Sequence, residues 1–142
     1  GSLDDTTPHP YYYATTPAVD ASGIAASLKL TYWRVLNSDY SPYSNNSVEV
    51  WDGATWQVLY ETGTNSPDDE AWTFFEPDIT AYANDALQVR FGYSVGESGA
   101  VFAGSSWNLD DLRIQEDIGP FCCDWSSDCE GMEMTCFGAI CQ

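Results

Sequence analysis

The chain has 142 residues, a length that suits one domain with room for a small appendage, and its 22 acidic residues against 4 basic ones give a formal net charge of −18. Hydrophobic residues make up 44% and aromatic residues 15%, enough to bury a core, which argues against general disorder. A surface this negative repels phosphate backbones and anionic lipid, and no apolar run approaches the ~20 residues of a membrane span, so nucleic acid and membrane insertion are disfavoured while divalent cations and basic groups are favoured.

The start at Gly1-Ser2, without Met, reads as the remnant of a cut, and any export signal is expected to have been removed with it. Helix signals are nearly absent. Gly, Pro, Ser, Asn and Asp interrupt short alternating runs along the whole chain, the pattern of an all-β sandwich. The first clear run spans residues 28–36. Leu28, Leu30, Tyr32 and Leu36 share one face; Lys29, Thr31 and Trp33 share the other. Residues 37–47 read as a loop too polar to bury and too aromatic for a plain linker. Residues 48–51 and 56–60 follow as two strands around Asp52-Gly53, a hairpin signal because both residues tolerate positive φ. A second loop, residues 62–70, carries Asp68-Asp69-Glu70. A strand is expected at 72–75, a short turn at 78–82, and a clean alternation at 87–93 with Leu87, Val89, Phe91 and Tyr93 inward. A brief strand at 100–103 precedes the closing one at 107–114. In that last strand Trp107 and Leu109 hold one phase, and Leu112 and Ile114 the other. One extra residue at Asp110-Asp111, a β-bulge, would bring both pairs inside.

Cys122, Cys123, Cys129, Cys136 and Cys141 are the five cysteines, and none precedes them. The chain therefore divides into a body, residues 1–117, and a Cys-rich tail, residues 118–142. The tail reads as a disulfide knot formed in an oxidising compartment. A zinc site is the alternative, but the paired spacing and the histidines are missing. An odd count leaves one Cys without an internal partner, and the simplest account is a tail cut from a longer protein. Spacing does not give the pairing.

The ordered set Pro17 to Gly23, Leu28-x-Leu30-x-Tyr32-Trp33-Arg34, Val48-Glu49-Val50-Trp51-Asp52-Gly53-x-x-Trp56, Trp72 with Asp78-Ile79-Thr80-Ala81-Tyr82 and Val89-Arg90-Phe91, and Trp107-Asn108-Leu109-Asp110-Asp111-Leu112-x-Ile114 resembles the MAM-like jelly-roll modules of secreted bacterial proteins, including cleaved-adhesin repeats. The resemblance covers about residues 11 to 115. It implies a two-sheet antiparallel jelly-roll β-sandwich, secreted or at the cell surface. Such modules are non-catalytic and are appended to a larger multidomain peptidase, glycosidase or adhesin, often with bound calcium. The tail, Cys123-x5-Cys129-x6-Cys136-x4-Cys141, is similar to short EB-like or EGF-like modules, with Cys122 as the extra cysteine.

Asp110 and Asp111 are the foremost candidate metal ligands. Calcium takes six to eight oxygens, and a carboxylate pair at a strand edge suits it. The alternative is that the two cap the bulge. Asp4 and Asp5 are the expected partners by jelly-roll precedent, or else a solvated terminus. Asp68-Asp69-Glu70 reads as a solvated loop, and no EF-hand spacing occurs. Exposed rings would make a carbohydrate platform, since sugars stack on aromatic faces while polar groups take their hydroxyls. Tyr40, Tyr43, Trp51 and Tyr11-Tyr12-Tyr13 are the expected rings, with Asp39 beside them as a ligand source or a turn former. Trp33, Trp56, Trp72 and Trp107 are expected in the core. Arg34, on an apolar face, calls for a carboxylate or carbonyl partner. Catalysis has little support. His9 is the only His, no nucleophile or metalloprotease motif is present, and no opposed carboxylate pair is derivable. The expected function is therefore binding of glycan or a surface protein for a larger secreted protein, with calcium as a structural ion. A bare spacer and a small glycoside hydrolase are the alternatives.

Overall fold

The computed structural model describes residues 7–96, 106–117, 136–137 and 140–141. Among these residues, seven strands build the body: β1 (His9–Thr15), β2 (Ser27–Asn37), β3 (Ser44–Trp51), β4 (Trp56–Glu61), β5 (Thr73–Phe75), β6 (Val89–Val95) and β7 (Ser106–Asp117). A 3₁₀ turn, Thr80–Tyr82, sits where the sequence predicted a turn. Two antiparallel sheets result, a four-stranded one in the order β1-β6-β3-β4 and a three-stranded one in the order β5-β2-β7. In the tail, β8 (Cys136–Phe137) and β9 (Ile140–Cys141) pair antiparallel with Cys136 opposite Cys141. The expected strand at 100–103 lies outside the described residues.

The two sheets form a β-sandwich-like layer pair because each presents one apolar face. On β2 the even positions Leu28, Leu30, Tyr32 and Leu36 are buried as their alternation predicts, and the first three meet Val48, Val50, Val89 and Phe91 of the facing sheet. Ile79 and Leu87 fill the same core from the connections. Each fully buried Leu, Ile or Val contributes roughly 1.5–3 kcal/mol relative to exposure. The hairpin between β3 and β4 forms as expected. Gly53 takes φ 97°, and the Asp52 carboxylate accepts the amides of Ala54 and Thr55 at 2.8 and 2.7 Å.

Two expectations need correcting, and one strand was not announced by the sequence. Residues 44–47 are not loop but the start of β3, and Ser44, Asn46 and Ser47 are buried. Most of their polar groups are bonded internally: the Ser44 hydroxyl meets Ser38, the Asn46 backbone amide donates to Thr62 Oγ1 at 3.0 Å, and Ser47 donates to Glu49 at 2.8 Å, while the buried Asn46 Nδ2 finds no partner among the described residues. Burial follows once the hydrogen bonds are supplied. Residues 9–15 are a strand, although no alternation announces it, with Tyr13, Ala14 and Thr15 opposite Gly92, Phe91 and Arg90. Finally, Trp33, Trp56 and Trp72 are not core residues: Trp33 and Trp72 are 39% and 48% exposed, and Trp56 packs on Arg90 and Trp51 at the outer face of its sheet, while Trp107 packs against the core as expected.

The expected bulge in β7 is present. Thr31 lies opposite Arg113 and Trp33 opposite Asp110, so two steps on β2 are matched by three on β7. The extra residue is accommodated at Asp111, whose φ is 49°, a left-handed conformation that Asp tolerates better than most residues. The phase is repaired for Trp107, Leu109 and Ile114, which pack against the core. Leu112 remains 38% exposed and lines a cleft of about 380 Å³ with Ala14, Phe91 and Leu109, on the side where β1 and β7 end their sheets.

Candidate functional site

The outer face of the three-stranded sheet carries an aromatic and acidic row. Register places Phe74 of β5, Trp33 of β2 and Asp110 of β7 opposite one another across the sheet. The Trp33 and Phe74 rings lie 5.3 Å apart at 51°, and Phe74 is 45% exposed. Trp72, which immediately precedes β5, closes a shallow hollow of about 300 Å³ with Trp33, Asp110 and Asp111. A second hollow of about 170 Å³ lies on the other flank of Trp33, lined by Thr31, Phe74, Asp111, Arg113 and Gln115. Three large rings exposed side by side on a strongly charged chain lose hydrophobic stabilisation that burial would have given, which marks a face that meets something. The carboxylates beside them are exposed. Asp110 Oδ1 accepts the Asp111 amide at 2.8 Å, and the Arg113 guanidinium approaches Asp111 only to 3.8 Å.

The outer face of the four-stranded sheet is built differently. Arg90 of β6 lies between the rings of Tyr13 and Trp56, 3.8 and 4.1 Å from their centroids, and bonds Glu49 at 2.9 and 2.6 Å. Tyr11 stacks on Tyr13 and donates to Glu61 at 3.0 Å; burial, then the Glu61 carboxylate, pushes its hydroxyl pKa up. Gly92 leaves the room for this stack, since a Cβ there would lie 2.6 Å from the Tyr13 ring and 2.9 Å from the Tyr11 ring. Cation, rings and carboxylates are matched within the sheet, so this layer reads as self-satisfied covering.

The sequence-predicted ligand residues fall in two places. Asp39, Tyr40 and Tyr43 cluster just before β3: the two rings meet edge-on at 5.1 Å, Asp39 is buried, and its carboxylate accepts the Tyr40 amide. The neighbouring Tyr43 raises the Tyr40 hydroxyl pKa. Trp51 sits at the far end of β3, about 24 Å along the strand, half-buried against Trp56 at 5.5 Å. Of the Tyr11-Tyr12-Tyr13 run, Tyr12 is 64% exposed. Asp110 and Asp111 line one hollow beside Trp33. Asp4, Asp5, Cys122, Cys123 and Cys129 lie outside the described residues. Among the described residues no group of three or more His, Cys, Asp or Glu is arranged to hold a metal ion.

The expected ion pair of Arg34 is present. Nε and Nη2 donate to Asp69 at 2.8 and 3.0 Å, with Phe75 and Tyr60 rings 4.2 and 4.8 Å away. Asp69 thus leaves the acidic triplet read as a solvated loop and becomes structural. The residues missed were Trp33, Trp72 and Phe74. Their signal was present for Trp33, which alternates in phase with Lys29 and Thr31 rather than with the leucines.

A scan against protein-family models finds no match, and no curated protein matches the chain significantly. The likeness to MAM-like modules therefore rests on the residues quoted above.

Proposed function

We propose that the chain is a non-catalytic accessory module of jelly-roll type, secreted or at the cell surface, that binds carbohydrate for a larger protein through the outer face of β5-β2-β7. The Cys-rich tail would continue as a disulfide-bonded module. The observation that carries the reading is the row Phe74–Trp33–Asp110 with Trp72 and Asp111 beside it. Ring faces take the C–H face of a sugar, and carboxylates accept its hydroxyls. Asp110 and Asp111 are neighbours on one exposed strand rather than opposed across a cleft, which supports binding over glycoside hydrolysis.

Calcium is a proposal for the same strand end. Asp110 and Asp111 would supply carboxylate oxygens, and the rest of the six to eight would come from elsewhere. A fall in melting temperature with chelator, lost in Asp111→Asn, is the expected behaviour.

The platform is tested on a glycan array with wild type and Trp33→Ala. Saturable binding that falls at least about ten-fold in the variant, with unchanged melting, is expected. Equal binding by both proteins, or none by wild type, would leave the spacer reading in its place.

A further inference from the structure

We infer, building on the carbohydrate reading above, that the hollow between Trp33 and Trp72 selects a sugar carrying a free amine, of the glucosamine type, over neutral and acidic sugars. The hollow is lined by two aromatic faces and two carboxylates, Asp110 and Asp111, with no basic side chain among the described residues of its lining. Ring faces attract cations through their quadrupole, and carboxylates attract them through charge. Both kinds of wall therefore favour the same sign of ligand. They also favour the same hydrogen-bonding character. An ionised carboxylate only accepts, while the hydroxyls of a neutral sugar both donate and accept. An ammonium brings three donors and a positive charge to a site made of acceptors.

The nearest cation does not cancel this field. Arg113 stands in the adjoining hollow, and its 3.8 Å approach to Asp111 exceeds hydrogen-bond length, with side-chain exposures of 66% and 63%. Lys29, on the same outer face of β2, is paired with Asp78 at 3.3 Å. Arg113 is instead placed to donate to a sugar hydroxyl beside the ring stacked on Trp33. The formal charge of −18 adds attraction for a cationic glycan and repulsion for uronic, sialic or sulfated ones.

The test is calorimetric titration of the whole chain, in chelator so that no metal competes for the carboxylates. Three oligosaccharides of equal length serve as probes: fully deacetylated β-1,4-glucosamine, its N-acetylated counterpart, and the β-1,4-glucose oligomer. The deacetylated probe is expected to bind about ten-fold tighter than the other two, weakening with salt. Asp110→Asn/Asp111→Asn is expected to erase the preference. Trp33→Ala and Trp72→Ala, which keep the net charge, are expected to abolish binding of the deacetylated probe. If the neutral probes bind as tightly as the amine, the amine inference falls and the sugar platform stands. If both tryptophan variants bind the amine like wild type, the attraction belongs to the whole surface and the inference falls. If none of the three probes binds and the array is blank, both fall.

Discussion

Replacing Asp69 by Asn removes one charge from a pair almost closed to solvent, with side-chain exposures of 7% for Arg34 and 13% for Asp69. The shape is kept, but one of the two oxygens becomes an amide. In the native protein those oxygens accept Arg34 Nε and Nη2 and also the Leu36 amide at 2.8 Å. The variant loses at least one charge-assisted bond and leaves a guanidinium buried without a counter-ion. Breaking a buried pair from one side costs roughly 3–5 kcal/mol. The Phe75 and Tyr60 rings face the cation in wild type and variant alike, so they leave this difference unchanged. A loss of about 3–5 kcal/mol is therefore expected in urea unfolding, read from the midpoint at constant m. Arg34→Met removes the cation itself, and in the double variant the two losses are expected to overlap by more than about 1 kcal/mol. An Asp69→Asn loss below about 1 kcal/mol, or additive single effects, would show that the pair is solvated and not part of the core.

Gly92→Ala is expected to cost about 1–3 kcal/mol in the same assay, because the new methyl meets Ser47 and the stacked Tyr11 and Tyr13; an unchanged midpoint would mean that the stack does not form. At the bulge, with chelator present so that no metal is bound, Asp111→Gly is expected to leave the melting temperature nearly unchanged, while Asp111→Val costs roughly 1–2 kcal/mol at a left-handed φ. The Thr55 and Ala54 amides and Gln57 hold the Asp52 carboxyl down to about 2, and the Thr80 hydroxyl and amide, then Lys29, do the same for Asp78. Both lie below the ordinary 3.8, so their stabilisation is complete above that value and is lost as pH falls through about 2. Asp52→Asn is expected to melt lower at neutral pH and to lose less across that acid window; parallel acid curves for variant and wild type would contradict this.

Much of the architecture was legible because period-two alternation is a direct consequence of strand geometry. The leucines of β2, the Asp52-Gly53 hairpin and the phase break at Asp110-Asp111 each carried their own local reason. β1 was not legible, since three consecutive tyrosines have no period; its place is set by Gly92 and Arg90 on β6, partners far away in the chain. The polar start of β3 was misread for the same reason, as the buried Asn46 is bonded through its backbone amide to Thr62, a partner on a distant segment. The candidate site was half legible. The carboxylates were found through the bulge, but Trp33 and Trp72 were assigned inward because large rings usually pack. The alternation that put Trp33 with Lys29 outweighs that tendency, because strand phase is geometric and ring burial is only statistical.

The bulge in β7 also bears on how copies of this protein meet. A flat strand at the end of a sheet is a template on which another chain can pair. Among the described residues β7 ends its sheet, and there the extra residue at the bulge sets two adjacent negative charges. A second copy approaching edge to edge would bring the same charges against them, and like charges placed opposite repel. The device that repairs the core therefore also works against fibre growth, in a protein that displays tryptophan on the neighbouring strand.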